Sequence, residues 1–257
     1  MGLEQRSEAP MRFEAGCLHL WLVSPAVVQR AGEEASVGLH GEEERKRYEA
    51  LATADLKRAF LGRRGVLARL LGTYCGKDPR ELRLLRQSSG KPMLAPGMSG
   101  PHFSVSSSGE RVLAAFCWDQ PVGVDLERLR ADVGRDVIVE RYFNPAEKAE
   151  LARCSPERQL RLFLQIWTRK EALLKLFGEG LNGLDALLQG QERFQRAWTE
   201  ELSLPDSLSG TVALPRPPVS FDLRQWSEGQ EPPGLAALIR AARPELVLAS
   251  AEPHLPR

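Results

Sequence analysis

The chain has 257 residues, 42% of them hydrophobic and 27% charged, and its 35 Lys and Arg residues nearly balance 34 Asp and Glu residues. This composition is typical of a globular protein with one large domain or two small ones. The net charge of +1 supplies no overall field that would attract nucleic acid or a membrane surface, so we expect neither as a partner. The four cysteines are far apart, and neither a signal peptide nor a membrane-spanning run is recognisable. These features predict a cytoplasmic protein with free thiols.

Strand and helix patterns follow one another along the chain. A strand is predicted at 17–23 and a long Arg-rich helical stretch at 41–73. A short strand or turn at 80–86 precedes a turn at 88–92 and a strand at 103–109 that runs into a Ser/Gly loop. The remaining predicted elements are strands at 111–117 and 121–127, helices at 133–142, 145–153 and 156–177, and strands at 209–214, 219–226 and 235–241.

The order of these elements repeats loosely in two halves that meet near residues 118–121. We therefore predict an α+β fold of two pseudo-symmetric halves, residues 1–118 and 119–250. Each half is expected to be a small, mostly antiparallel sheet packed by a long helix, with the active site in the cleft between them.

Two short acidic segments, GVDLE in a predicted strand and WTRKEALLK in a predicted helix, indicate the chemistry. Side chains alternate in a strand, so Asp125 and Glu127 share one face, and residues four apart in a helix stack, so Glu171 and Lys175 do too. Three carboxylates brought together repel one another unless a cation bridges them, and Mg²⁺ binds carboxylates together with substrate phosphates. Taken singly, the alternatives are a solvated strand edge and a surface ion pair.

Together with GKP at 90–92, FSVSSSG at 103–109 and RYFNPAE at 141–147, these segments resemble the 4'-phosphopantetheinyl transferases of the surfactin-synthetase-activating type, over roughly residues 40–185. The resemblance implies transfer of the phosphopantetheine arm of coenzyme A to a serine hydroxyl of an apo acyl or peptidyl carrier protein. It implies release of adenosine 3',5'-bisphosphate, a requirement for Mg²⁺, and a monomer whose halves mimic a dimer.

The resemblance also assigns roles to the acidic residues and their neighbours. It implies that Asp125, Glu127 and Glu171 bind the metal, that Glu171 also accepts the serine proton, and that Lys175 lies against the pyrophosphate. For Glu147, a place beside the metal and a first-turn position that complements a helix dipole are equally good interpretations.

Four further residues are expected to contact coenzyme A. These are Arg58, Lys91, Ser106 and Ser107. Arg45 and Arg47 are weaker candidates, because an Arg-rich helix face is usually solvated. Ser107 departs from the family, which commonly has a histidine at this point of its phosphate loop, and serine keeps a hydrogen-bond donor while losing reach and charge.

Three other functions compete with this interpretation. A non-catalytic relative that binds coenzyme A or a carrier protein is supported only by the missing histidine at Ser107. A nucleic-acid binder that uses the Arg-rich helix is disfavoured by the near-neutral net charge. A serine hydrolase is disfavoured because the chain has no GxSxG motif.

Overall fold

A computed structural model describes residues 16–33, 42–130, 134–205 and 207–229. The strands are β1 (Cys17–Val23), β2 (Leu84–Arg86), β3 (Pro92–Leu94), β4 (His102–Ser108), β5 (Arg111–Cys117), β6 (Gly123–Arg128), β7 (Trp198–Glu201), β8 (Leu208–Leu214) and β9 (Ser220–Trp226). The helices are α1 (Pro25–Glu33), α2 (Glu42–Glu49), α3 (Ala54–Cys75), α4 (Arg135–Tyr142), α5 (Pro145–Arg153), α6 (Pro156–Phe177), α7 (Leu184–Leu188) and α8 (Glu192–Arg196). None of the helices within these ranges is long and apolar enough to cross a bilayer.

Most of the predicted elements are present at or near the expected bounds, and the predicted strand at 235–241 lies outside the described residues. The helical stretch predicted at 41–73 is in fact two helices, because Thr53 begins α3 as an N-cap whose side chain accepts a hydrogen bond from the Leu56 backbone N–H. Helices α1, α7 and α8 and strands β3 and β7 were not predicted, since each is short, with nine residues at most.

The first sheet has the strand order β4-β5-β1-β9. Strand β9 pairs in parallel with β1, so residues 220–226 return to the first sheet from the end of the described chain. Division of the chain at residue 118 therefore does not separate two complete sheets. Helix α3 packs its buried face, which includes Val66 and Leu70, with Trp21 of β1 and Phe116 of β5 in one apolar core.

Three glycines allow α1 and α3 to pack closely against each other. A Cβ atom at Gly62 would lie 2.2 Å from the Val28 carbonyl oxygen, and one at Gly65 would lie 2.8 Å from the Ala31 carbonyl oxygen. On α1, a Cβ atom at Gly32 would lie 2.8 Å from the Arg58 carbonyl oxygen. This contact turns the Gly62 side of α3 towards α1 and leaves other faces of the helix for other contacts.

The second sheet has the order β6-β8-β7, is antiparallel throughout, and is covered by α6. Helix α6 crosses β6 at Gly123, where a Cβ atom would lie only 2.0 Å from the Ala172 carbonyl oxygen. The two sheets also share a buried cluster in which Leu20 and Leu113 of the first sheet meet Val124 and Val212 of the second. The predicted α+β fold, with a long helix on each sheet, is confirmed.

Candidate active site

A row of serines on β4 connects the two sheets. Side chains alternate along the strand, so Ser104, Ser106 and Ser108 are buried against β6 while Ser107 is exposed. The Ser104 hydroxyl accepts a hydrogen bond from the Val124 backbone N–H at 3.1 Å. These serines lie within β4, close to the bounds of the strand predicted at 103–109. Strand β4 extends through Ser108 because β5 pairs with it along its whole length.

The carboxylates of β6 accept hydrogen bonds from this row of serines. The Ser106 hydroxyl donates to Asp125 Oδ1 at 2.7 Å, and the Ser108 hydroxyl donates to Glu127 Oε2 at 2.8 Å. Both acids therefore point from β6 towards β4, on the same side of their strand, as their spacing predicts. The bonds hold each carboxylate in one orientation at the seam between the sheets.

Helix α6 adds a lysine to this arrangement. The Lys175 ammonium donates to Asp125 Oδ1 at 2.6 Å and to Ser106 Oγ at 3.0 Å. The Asp125 side chain is only 5% exposed, and its second oxygen, Oδ2, is buried without a hydrogen-bond partner among the described residues. A buried carboxylate oxygen left without a donor is costly, so this atom is available to a further ligand.

Charge is concentrated around Asp125. Burial raises the pKa of Glu171, and the negative charges of Asp125 and Glu127 raise it further, while Lys175 opposes the shift. Burial also raises the pKa of Glu127, where the bond from Ser108 opposes the shift and the charge of Asp125 adds to it. The three predicted carboxylates are thus near enough to repel one another.

Neighbouring carboxylates, one of them with an unpartnered oxygen, are the donor chemistry that a hard divalent cation prefers. Within the described part of the chain, however, no three His, Cys, Asp or Glu side chains are grouped closely enough to form a complete metal site. The ammonium of Lys175 contacts Asp125 in this arrangement. The donor set fits Mg²⁺, while a full set of ligands is not assembled.

A cavity of about 750 Å³ opens beside Glu171 and Lys175. Both long helices, the β2–β3 hairpin and β4 contribute to its walls. Its apolar lining consists of Phe60, Leu67, Leu84, Leu85, Pro92, Val105, Leu174 and Leu181. Its charged lining consists of Arg63, Arg64, Arg86, Lys91 and Lys175 with Glu42, Glu44 and Glu171. The cavity therefore combines apolar walls with an excess of positive side chains.

Lys91 is bound to backbone carbonyls from both sides of the α6–β6 contact. Its ammonium donates to the Val122 carbonyl oxygen at 2.8 Å and to the Lys175 carbonyl oxygen at 2.6 Å. Burial, with a smaller contribution from the charge of Lys175, lowers its pKa to about 8. No sequence pattern indicates these partners, because both lie far from Lys91 along the chain.

Arg63 and Arg64 of α3 reach the cavity, whereas Arg58, the arginine predicted to contact coenzyme A, does not. Arg58 is exposed, forms an ion pair with Asp55, and does not line the cavity, whereas Arg63 and Arg64 do. At 3.6 residues per turn, Arg58 and Arg63 are about 140° apart around α3, which places them on different faces. Arg63 and Arg64 follow Phe60 by three and four residues, so all three share one side of α3, and this spacing is the sequence pattern that points to the two arginines.

Glu147 forms a capping box at the start of α5. It accepts a hydrogen bond from the Asn144 backbone N–H at 2.8 Å, and its own N–H donates to Asn144 Oδ1 at 2.9 Å. It also pairs with the buried Lys170 ammonium at 2.9 Å. Of the two sequence interpretations, this geometry agrees with the first-turn position.

Comparison with known proteins agrees with the geometry. The model of the 4'-phosphopantetheinyl transferase superfamily matches residues 121–209, which include β6, α6 and β7. The 4'-phosphopantetheinyl transferase HetI of Nostoc sp. is 30% identical over 172 residues, or 66% of this chain and 72% of the relative. The 4'-phosphopantetheinyl transferase Sfp of Bacillus subtilis is 31% identical over 157 residues, or 60% of this chain and 66% of the relative. The 4'-phosphopantetheinyl transferase AcpT of Escherichia coli is 36% identical over 141 residues, or 53% of this chain and 69% of the relative. With the site residues of β6 and α6 inside the matched segment, the chain belongs to the 4'-phosphopantetheinyl transferase superfamily.

Proposed function

We propose that the protein transfers the phosphopantetheine arm of coenzyme A to a serine hydroxyl of an apo acyl or peptidyl carrier protein, with release of adenosine 3',5'-bisphosphate. The observation that carries the proposal is the position of Glu171 and Lys175, which line the cavity while Lys175 also contacts Asp125 behind it. A ligand in the cavity would therefore lie against Glu171 and Lys175, and Lys175 connects it to Asp125.

The cavity suits a ligand of mixed character. Coenzyme A joins an adenosine, several phosphate groups and a long, mostly neutral arm. Apolar side chains such as Phe60, Leu84 and Val105 offer surface to the base or the arm, and the cationic lining offers donors to the phosphates.

The expected cofactor is Mg²⁺, held by Asp125, Glu127 and Glu171. Its support is the unpartnered Oδ2 of Asp125 together with the raised pKa values of Glu127 and Glu171. A Mg²⁺ ion held by these carboxylates would supply positive charge to balance that of the pyrophosphate.

The residues of the chain would handle the proton and the leaving group. The serine oxygen forms a bond to the phosphorus that carries the pantetheine arm, and the bond from that phosphorus to the bridging oxygen breaks. Glu171, which lines the cavity, accepts the serine proton. The Lys175 ammonium stabilises the negative charge that leaves with adenosine 3',5'-bisphosphate.

We further propose a cytoplasmic monomer that needs neither nucleic acid nor a membrane. The four cysteines are free, which supports a reducing compartment. The alternative remains a non-catalytic relative that binds coenzyme A or a carrier, and the observation that favours it is the exposed Ser107 at the cavity wall in place of a histidine.

The test is incubation of the purified protein with coenzyme A, Mg²⁺ and several apo-carrier proteins, followed by intact-mass analysis of each carrier. We expect the phosphopantetheine mass increment on at least one carrier, and its loss with EDTA or in Asp125→Ala. If a folded protein bound coenzyme A yet modified no carrier, the non-catalytic alternative would replace the proposal.

A further inference from the structure

The charged lining of the cavity contains one cation that the described residues leave without a partner. Of the five cationic side chains there, Lys175 and Lys91 are bound as described above. Arg64 pairs through Nε with Glu44 Oε1 at 2.8 Å, and Arg86 donates to the Gly90 carbonyl oxygen at 2.7 Å. Arg63 has neither a hydrogen bond nor an ion pair within the described ranges.

An arginine in this position is unusual for physical reasons. Arg63 is partly buried in the cavity wall, and burial alone accounts for the lowering of its pKa, with no carboxylate contributing. A guanidinium presents five N–H donors in a planar fork that matches the oxygens of a phosphate or carboxylate. Partial removal of these donors from water without an acceptor costs free energy that an anionic ligand would recover.

Neighbouring residues on α3 determine which way Arg63 faces. Gly62 and Gly65 bring α3 against α1, which determines how the helix is rotated about its axis. Phe60 and Leu67, at spacings of three and four from Arg63, line the same cavity. The guanidinium therefore belongs to a face of α3 that already forms the wall of the ligand cavity.

We propose that Arg63 forms an anion subsite that binds a phosphate group of coenzyme A, an inference that rests on the proposed function. The subsite supplies, from α3, positive charge that Ser107 on the β4 wall of the same cavity cannot supply. Arg63, rather than the exposed Arg58, is then the arginine of α3 that determines affinity for the donor substrate.

The test measures binding of coenzyme A and of 3'-dephospho-coenzyme A by calorimetry to the wild type, Arg63→Gln and Arg63→Met. Lys57→Gln is the matched control, because Lys57 carries the same charge on the same helix but lies outside the cavity lining. We expect both Arg63 variants to bind coenzyme A roughly 10- to 100-fold more weakly than the wild type, which is the range for loss of hydrogen bonds to a charged group. The control is expected to bind within twofold of the wild type.

The two ligands identify the phosphate. If Arg63 binds the 3'-phosphate, the preference of the wild type for coenzyme A over the dephospho form disappears in the variants. If Arg63 binds the pyrophosphate, the affinity for both ligands falls equally in the variants. Either result supports the proposal. Wild-type affinity for coenzyme A in a folded Arg63→Gln or Arg63→Met variant would overturn it.

Carrier modification is measured in parallel, so that the two proposals can fail separately. A wild type that binds coenzyme A but modifies no carrier would contradict the transfer and leave the Arg63 comparison intact. A wild type that modifies a carrier, with an unchanged Michaelis constant for coenzyme A in both variants, would contradict the Arg63 subsite alone. No binding of coenzyme A by the wild type would contradict both.

Discussion

Gly123 determines how closely α6 approaches β6, and Gly123→Ala tests whether that distance matters for the site. The added Cβ atom would lie 2.0 Å from the Ala172 carbonyl oxygen and 2.4 Å from the Leu176 backbone nitrogen. Ordinary contacts of a Cβ atom begin at 3.4 Å, so the strand and helix must separate by roughly 1.4 Å, the difference between 3.4 and 2.0 Å.

This separation acts directly on the charged site. Asp125 lies two residues along β6 from Gly123, and Lys175 lies three residues along α6 from Ala172. Their contact of 2.6 Å would lengthen towards 4 Å, beyond hydrogen-bonding distance. Overpacking of this kind costs about 1–3 kcal/mol of stability, and misplacement of catalytic groups by about 1 Å costs on the order of 100-fold in rate.

The assay is the rate of carrier modification at saturating coenzyme A, together with thermal unfolding. Gly32→Ala is the control, because its Cβ atom would lie 2.8 Å from the Arg58 carbonyl oxygen at the α1–α3 contact, away from Asp125. We expect both variants to be destabilised, and only Gly123→Ala to lose about 100-fold in rate. A Gly123→Ala enzyme that is folded and as fast as the wild type would refute the argument that this contact positions the site.

Four further predictions concern side chains of the site. Lys91→Met is expected to lower the turnover number, because the Lys91 ammonium binds the Val122 and Lys175 carbonyls, while the Michaelis constant for coenzyme A stays within twofold. A raised Michaelis constant with unchanged turnover would instead indicate that Lys91 binds a phosphate directly. The pKa of Lys91 is lowered from 10.5 to about 8, so between these pH values the unfolded state binds more protons than the folded state. Chemical denaturation should therefore show the free energy of unfolding of the wild type rising relative to that of Lys91→Met from pH 8 to 10.5. A difference between the two proteins that stays constant with pH would refute this. Ser107→His should lower the Michaelis constant for coenzyme A, and should lower it further in an Arg63→Gln background, where the histidine supplies the charge that Arg63 no longer provides. Unchanged Michaelis constants in both backgrounds would contradict this prediction. Ser106→Ala removes a hydrogen-bond donor to Asp125, so it should slow transfer by roughly tenfold and shift the unfolding midpoint by no more than a few degrees. An unaltered rate would mean that this hydrogen bond does not orient the carboxylate.

Local sequence patterns determined much of the structure. The alternation of GVDLE put Asp125 and Glu127 on one face of β6, and the four-residue spacing in KEALLK put Glu171 and Lys175 on one face of α6. The bounds of α5 and α6 agree with the prediction, and Asn144-Pro145 and Pro156 mark their starts. The family resemblance, later confirmed by comparison, rested on the same short segments.

Tertiary structure decided which faces meet. Periodicity shows that residues share one side of an element, but the partner of that side depends on contacts between residues far apart in the chain. The parallel pairing of β9 with β1, the two carbonyls bound by Lys91 and the rotation of α3 that brings Arg63 rather than Arg58 to the cavity all depend on such contacts. They arise from packing of whole elements, at glycines such as Gly62 and Gly123, and no local pattern encodes them.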